Sequence, residues 1–440
     1  MRIKNVNISY RKRNIYLVNI NLQICFSGGA ALNIVYINHY AGSVYHGMEF
    51  RPYFMSVEWA KAGHNVTMIA ADFSHLRKKN PVIEKSFTTE NIDGVNYLWI
   101  KTNRYHGNNL GRVRNMFSFV RQLSSHAKKL AEELKPDVVI ASSTYPFDIY
   151  PAEKIAKHAG ARLYFEIHDI WPQTLYEMGN ITDKNPAMKF MQHATDKALK
   201  DSFRVISILP AADIYLRERG VNDAKFRAVP NGILAEDTSE PAPPEDKALI
   251  DKLRADGKFI VMYAGGHAIS NSLEDLISSA ALMDDGKAVV LVGDGVVKPK
   301  LKAQAEKLGL KNVYFINSVT KNQVLTMLKM ADALYIGAKK SPLYKYGAGM
   351  NKFYDYLMAA KPIINAVEAP NDPVRDSGGG LSIPAADPQA VADAVEKIAA
   401  MTPEERYEMG QKGLAYVKQY HDYRNLAKKF IAALEETDVI

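Results

Sequence analysis
The chain has one cysteine, Cys25, in 440 residues. A lone thiol cannot close an internal disulfide, and no Cys/His cluster shows metal-ligand spacing, so a disulfide scaffold and a structural zinc site are both excluded and a reducing compartment is expected. No apolar run reaches the roughly 18 to 20 residues needed to cross a bilayer, and the first residues carry no continuous apolar core of a secretory signal. The expected location is the cytoplasm, either free or peripheral on the inner face of the cell membrane. No short period repeats along the chain, which argues against a solenoid. No basic-aromatic motif accompanies the positive charge, so no nucleic-acid partner is expected.

The composition is that of a globular protein, with 47% hydrophobic and 24% charged residues. At this length two domains of about 150 to 200 residues are the natural division. The formal net charge of +8 suits an anionic phosphate ligand or an anionic surface.

Residues 1–31 stand apart. Ile20, Leu22, Ile24 and Phe26 alternate with Asn19, Asn21 and Gln23, which reads as a strand. Ser27-Gly-Gly-Ala-Ala-Leu32 also fits a ribosome-binding sequence followed by a leucine-type start codon, so the segment is either an extension foreign to the natural protein or an added edge strand. From Asn33 the pattern becomes regular. Ile34–Ile37, Val66–Ala70, Val138–Ala141, Leu163–Ile167 and Val205–Leu209 read as buried strands with helices between them, and Phe259–Tyr263, Val289–Val292, Val313–Ile316, Leu334–Ile336 and Ile363–Val367 repeat the alternation. Such alternation predicts parallel sheets covered by helices on both faces. Pro52 with Gly63, and Pro151 with Gly160, mark helix starts and ends. The polar, proline-rich stretch 236–247 reads as a linker. The expected layout is a first Rossmann-like domain at 32–235, a second at 248–415, and a terminal helix at 416–440 that could cross back to the first.

Two such sheets direct the C-terminal ends of their strands toward a common cleft, so the loops after strands carry the chemistry. Tyr263-Ala-Gly-Gly-His-Ala-Ile-Ser-Asn-Ser-Leu-Glu274 runs from a strand through paired glycines into a helix, an arrangement whose free amides favour a diphosphate; an ordinary strand–helix connection explains it too. Val292-Gly-Asp-Gly295 is a weaker signal, a tight turn or a close approach to phosphate, and it completes no P-loop. In Gly347-Ala-Gly-Met-Asn-Lys-Phe-Tyr-Asp355 a glycine-bearing loop opens a helix. Lys352 lies in its first turn, where a cation opposes the dipole unless an anion is near. Asp355, one turn on, is placed for a ribose; the plainer alternative is a solvated Lys352 paired with Asp355.

This last segment resembles the donor element of glycosyltransferase family four, whose members have the GT-B fold. Asn38-His-Tyr-Ala-Gly-Ser43, Gly47-Met-Glu-Phe-Arg-Pro52, Ala62-Gly-His-Asn-Val66, Glu166-Ile-His-Asp-Ile-Trp-Pro172 and Val229-Pro-Asn-Gly232 are similar to further family blocks, and with Val292-Gly-Asp-Gly295 they follow its order and spacing. The resemblance implies a nucleotide-sugar donor, with a UDP-sugar expected, and retaining transfer without a metal or other cofactor. The acceptor is expected to be a glycan or lipid-linked glycan of a surface polysaccharide. It implies that Asp355 binds the donor ribose, and that Gly347 stands where a first acidic residue is often found. The family's Arg and Lys for the diphosphate align with Gly266 and Asn271. The phosphate contacts are therefore expected from Gly265, Gly266, His267, Asn271 and Lys352, with Gly349, Met350 and Asn351 completing the donor loop. In the first domain, Gly47 is expected at the donor phosphate. Asp169, with His168 beside it, is expected to orient or deprotonate the acceptor hydroxyl; the alternative is an Asp169 that caps the next turn. A nucleotide-sugar epimerase of the same fold, or a two-lobed sugar-binding protein without catalysis, are the competing functions. On Arg112–Leu123, the residues Val113, Met116, Phe117, Val120 and Leu123 form an apolar stripe flanked by Arg112, Arg114 and Arg121. It fits either an anionic membrane contact or a helix packed on the sheet.

Overall fold
The computed structural model describes residues 30–47, 50–107, 109–179, 182–236 and 239–437. The readings of 1–29 as a strand or foreign extension, and Met48 and Glu49 of the glycine loop, lie outside the described residues.

Two sheets organise the chain. The first contains β1 (Asn33–Ile37), β2 (Asn65–Ala71), β3 (Thr88–Ile92), β4 (Val95–Ile100), β5 (Val138–Ala141), β6 (Arg162–Ile167), β7 (Arg204–Ser207) and β8 (Phe226–Ala228), in the order β3-β4-β2-β1-β5-β6-β7-β8. All neighbours are parallel except β3 with β4. The second contains β9 (Phe259–Ala264), β10 (Lys287–Val292), β11 (Val313–Ile316), β12 (Ala333–Gly337), β13 (Ile363–Ala366) and β14 (Gly380–Ser382), ordered β11-β10-β9-β12-β13-β14 and wholly parallel. Val138-Val-Ile-Ala141 shows why these runs are continuous and not alternating: all four side chains are buried, because helices cover both faces. Strand order reverses at β1/β5 and at β9/β12, and such switch points open crevices at the C-terminal strand ends.

The ten strands read from the sequence are present with ends shifted by at most two residues. Four were not foreseen. β8 and β14 have three residues each, too short for periodicity. The β3–β4 hairpin turns at Asp93-Gly94, both at positive φ, a dipeptide that signals such a turn.

The linker is shorter than expected. A helix begins at Pro244, with Glu245 and Asp246 in its first turn; proline at the start and acids beside the helix N-terminus stabilise it there, so the end of the stretch belongs to the helix. At the other end, one helix runs Pro403–Tyr420 and the next Tyr423–Glu435, so the crossing occurs at residues 421–422 and not at 416. Asp422 caps the second helix by accepting from Arg424 N at 2.9 Å. That helix packs on Phe50–Lys61 of the first domain, where Tyr423, Leu426 and Phe430 join a core with Tyr36 and Trp59 and Trp59 Nε1 donates to Ala427 O at 3.1 Å.

Candidate active site
At the C-terminal edge of the first sheet, β5 and β6 place Ser142, Glu166 and His168 together. Glu166 is buried and accepts Tyr36 OH at 2.5 Å and Ser142 Oγ at 2.6 Å on one oxygen, with Arg51 Nε and Nη2 at 3.0 and 2.8 Å from the other. Burial alone would push this carboxyl up; Arg51, His168 and the Ser142 hydroxyl hold it well below the usual carboxylate range. Because Ser142 gives its proton to Glu166, its oxygen accepts from His168 Nε2, 3.0 Å away, which places a proton on Nε2. Asp169 follows and is exposed. His168 and Asp169 both line a cleft of about 1470 Å³, with Gly47 and Lys78 on the same side and Gly349, Met350, Asn351 and Asp355 from the second domain.

The donor-side residues assemble around Lys352. A Cβ on Gly265 would lie 2.8 Å from Lys352 Cε, so the glycine is needed for the lysine stem to cross. Lys352 Nζ donates to Asn271 Oδ1 at 2.8 Å, and Asn271 Nδ2 donates to Gly266 O at 2.7 Å. Burial lowers Lys352 from 10.5 to about 8, with Asp355 working in the opposite direction. Gly265, Gly266, Asn271 and Lys352 are thus brought together, though none of the four lines the cleft itself. Gly266 is exposed, with nothing within 4 Å of where a Cβ would stand.

Several expectations need correction. The Gly265 amide is committed to Val292 O at 2.9 Å and is not offered to a phosphate in this arrangement. His267 is fully buried under the Val292–Gly295 turn, neither ring nitrogen has a partner, and burial lowers it to about 4. A neutral, enclosed ring neither reaches the cleft nor supplies charge. Gly293 and Gly295 are explained by packing, since their Cβ atoms would stand 2.0 Å from Gly265 O and 2.3 Å from His267 O. Asp355 is not paired with Lys352; both its oxygens lie 2.6 Å from Lys321 Nζ. Gly347, at φ +108°, admits no side chain here, because its Cβ would meet Pro210 Cδ at 2.7 Å. The apolar stripe read on Arg112–Leu123 divides: Val120 and Leu123 turn inward, whereas Val113 and Phe117 are exposed.

Sequence reasoning missed Arg51, Lys78, Asn231 and Lys321. Glu166 was the available signal for Arg51, since a carboxylate inside a buried strand requires a cationic or hydrogen-bonding partner. Among the described residues, no group of three or more His, Cys, Asp or Glu is placed to hold a metal ion, and no helix is long and apolar enough to cross a membrane.

Comparison with known proteins agrees with the two-domain fold. Residues 47–232 match the glycosyl transferase 4-like domain, and residues 245–415 match glycosyl transferases group 1. The putative colanic acid biosynthesis glycosyl transferase WcaI of Escherichia coli (strain K12) is 26% identical over 294 residues, covering 64% of this chain and 71% of that protein. Among solved structures, Anabaena Alr3699/HepE in complex with UDP and glucose superposes with TM-score 0.62 at 13% identity, over 92% of this chain and 100% of that one. The E. coli trehalose-6-phosphate structure bound with UDP-2-fluoro glucose gives TM-score 0.68 at 12% identity, over 92% and 99%. At these identities the two structures speak to the fold alone.

Proposed function
Because the chain belongs to the family-four type of GT-B glycosyltransferases, we propose that it moves a sugar with retention from UDP to a glycan or lipid-linked acceptor of a surface polysaccharide. The observation that carries this reading is that Asp169 and His168 from one domain and Gly349–Asn351 and Asp355 from the other line one cleft. The proposed UDP follows from what the similar Anabaena and E. coli structures bind, and the acceptor class follows from the colanic acid relative.

In this reading Asp355 accepts the ribose hydroxyls, while Lys352 and the Gly266 amide meet the diphosphate. The bond from the anomeric carbon to the phosphate oxygen breaks, the acceptor oxygen bonds to that carbon on the same face, and the acceptor proton passes to the departing phosphate. Asp169 orients the attacking hydroxyl. Lys352 and the amide stabilise the leaving charge, and no step is assigned to a metal. Transfer and donor-hydrolysis assays across UDP-, GDP- and TDP-sugars test the reading. Asp355→Ala should weaken UDP binding about tenfold or more, the loss expected for a charge-assisted hydrogen bond. Asp169→Ala should lower turnover about 100-fold with UDP affinity retained. UDP binding without turnover across acceptors would favour a sugar-binding protein, and unchanged affinity in Asp355→Ala would displace the ribose.

The lipid-linked acceptor and a peripheral membrane location go together. Phe117 and Phe190 are 41% and 43% exposed and stack at 6.4 Å, with Phe147 5.1 Å from Phe190. Arg114 and Arg121 lie one turn before and after Phe117 on a helix without acidic residues, and Lys189 precedes Phe190. Exposed aromatics beside guanidinium groups suit an anionic bilayer. Flotation should recover the protein with phosphatidylglycerol vesicles and not with phosphatidylcholine, and the double variant Phe117→Ser, Phe190→Ser should stay at the bottom. Equal flotation of the double variant would remove this surface from the proposal.

A further inference from the structure
Arg51 is buried at the floor of the cleft, and its guanidinium serves two elements. Besides Glu166 on β6, it donates through Nη1 to Pro230 O at 2.7 Å and through Nη2 to Val229 O at 2.8 Å. These carbonyls belong to the stretch that leaves β8 for the second domain. The next residue, Asn231, has its Oδ1 3.4 Å from Arg51 Nη1 and donates Nδ2 to Gly349 O at 2.9 Å. Gly349 lies three residues before Lys352. On the other side, Glu166 Oε2 is 3.4 Å from His168 Nε2. Polar contacts therefore run from His168 through Glu166, Arg51 and Asn231 to Gly349, from one wall of the cleft to the other.

Stability does not explain why this path is ionic. A buried ion pair roughly offsets its own desolvation and is often replaceable by apolar side chains of similar volume. An apolar filling has no direction, however, and could not fix the Gly349 carbonyl or the chain crossing at 229–231 in one orientation. Oriented hydrogen bonds can, and a displacement of about 1 Å between reacting groups costs about 100-fold in rate. None of Glu166, Arg51 and Asn231 is assigned a contact with the donor phosphates or ribose in the reading above.

We infer that Glu166, Arg51 and Asn231 form a strut that positions the donor loop 347–352 against the His168–Asp169 wall, with Asn231 fixing the loop at the Gly349 carbonyl. The inference rests on the glycosyl-transfer reading above. All three are positioning residues. Glu166 is a poor residue to vary, because its loss leaves Arg51 buried and unpaired. Asn231 is the better choice: Asn231→Ala removes both contacts, and Asn231→Asp keeps an acceptor for Arg51 but removes the donor to Gly349 O.

The experiment uses the full chain and three readouts. In hydrogen–deuterium exchange without ligand, the peptide spanning 347–352 should exchange about fivefold faster or more in both variants, as expected when a loop loses its anchor. By calorimetry UDP should bind within about threefold of the original chain, while kcat falls about tenfold or more, a split that a donor contact would not give. Unchanged exchange, or a loss of UDP affinity matching the loss of kcat, overturns the strut. If the original chain does not bind UDP, the donor reading fails, and the exchange comparison still decides whether Asn231 holds the loop.

Discussion
Replacing Lys352 by methionine should stabilise the protein near neutral pH while it weakens the donor site. Lys352 is held at about 8 against an ordinary 10.5 because its ammonium is buried with Asn271 as its hydrogen-bond partner. The gap, at about 1.4 kcal/mol for each factor of ten in proton affinity, makes the charged lysine cost about 3 kcal/mol of folding free energy at pH 7. Methionine removes that cost and keeps the stem over Gly265, but forfeits the Asn271 bond, worth about 1 kcal/mol. The net gain at pH 7 is about 2 kcal/mol. Between pH 8 and 10.5 the unfolded chain holds the lysine proton more tightly than the folded one, so the original protein gains relative stability as pH rises. The advantage of the variant therefore shrinks across that window and changes sign near its top. Urea unfolding of both proteins at pH 7, 8.5 and 10 measures the difference, and calorimetry at pH 7 should show UDP bound about 10- to 100-fold more weakly by the variant. A variant less stable at pH 7, or a stability difference that does not move with pH, would refute the premise that a buried cation awaits an anionic ligand.

Two further substitutions probe the same segment. Gly347→Glu, which restores an acid where relatives of the family often have one, should destabilise the fold by about 1 to 3 kcal/mol through its strained φ, and by more through the contact with Pro210; a denaturation midpoint equal to that of the original would show that the position can open. Lys321→Met should tighten UDP binding a few-fold, on the order of the 0.2 to 1 kcal/mol an exposed ion pair is worth, because both Asp355 oxygens are otherwise claimed by Lys321. Weaker binding in Lys321→Met would mean that the lysine grips the nucleotide itself.

The legibility of the fold followed from burial. Val138–Ala141 was found with its ends intact, since a strand covered on both faces must be apolar throughout. β8 and β14 escaped because three residues carry no period. Charge that broke an apolar pattern pointed to the cleft: His168, Asp169 and Asp355 line it. His267 was misassigned because a histidine after paired glycines looks the same in sequence whether its ring faces a ligand or turns beneath the neighbouring loop. Lys321 and Asn231 were invisible because their partners, Asp355 and Gly349, are 34 and 118 residues away, and nothing local marks the pairing.

Tyr346 shows why the donor segment is more than a ligand loop. Its ring sits in the first domain's core, 5.6 Å from Tyr215, its hydroxyl donates to Glu218 at 2.6 Å, and its carbonyl accepts from Ala211 N at 3.0 Å. Three residues later, Asn231 takes the Gly349 carbonyl. Gly347 lies between these anchors at a φ that favours glycine, pressed against Pro210. An acidic side chain at Gly347 and close docking of this loop on the first domain therefore exclude each other. Where the family resemblance would place an acidic residue, this chain has contact between domains. In the glycosyl-transfer reading the sugar is then recognised by other groups on the cleft wall, and Lys339, Lys340 and Glu177 are among its charged residues.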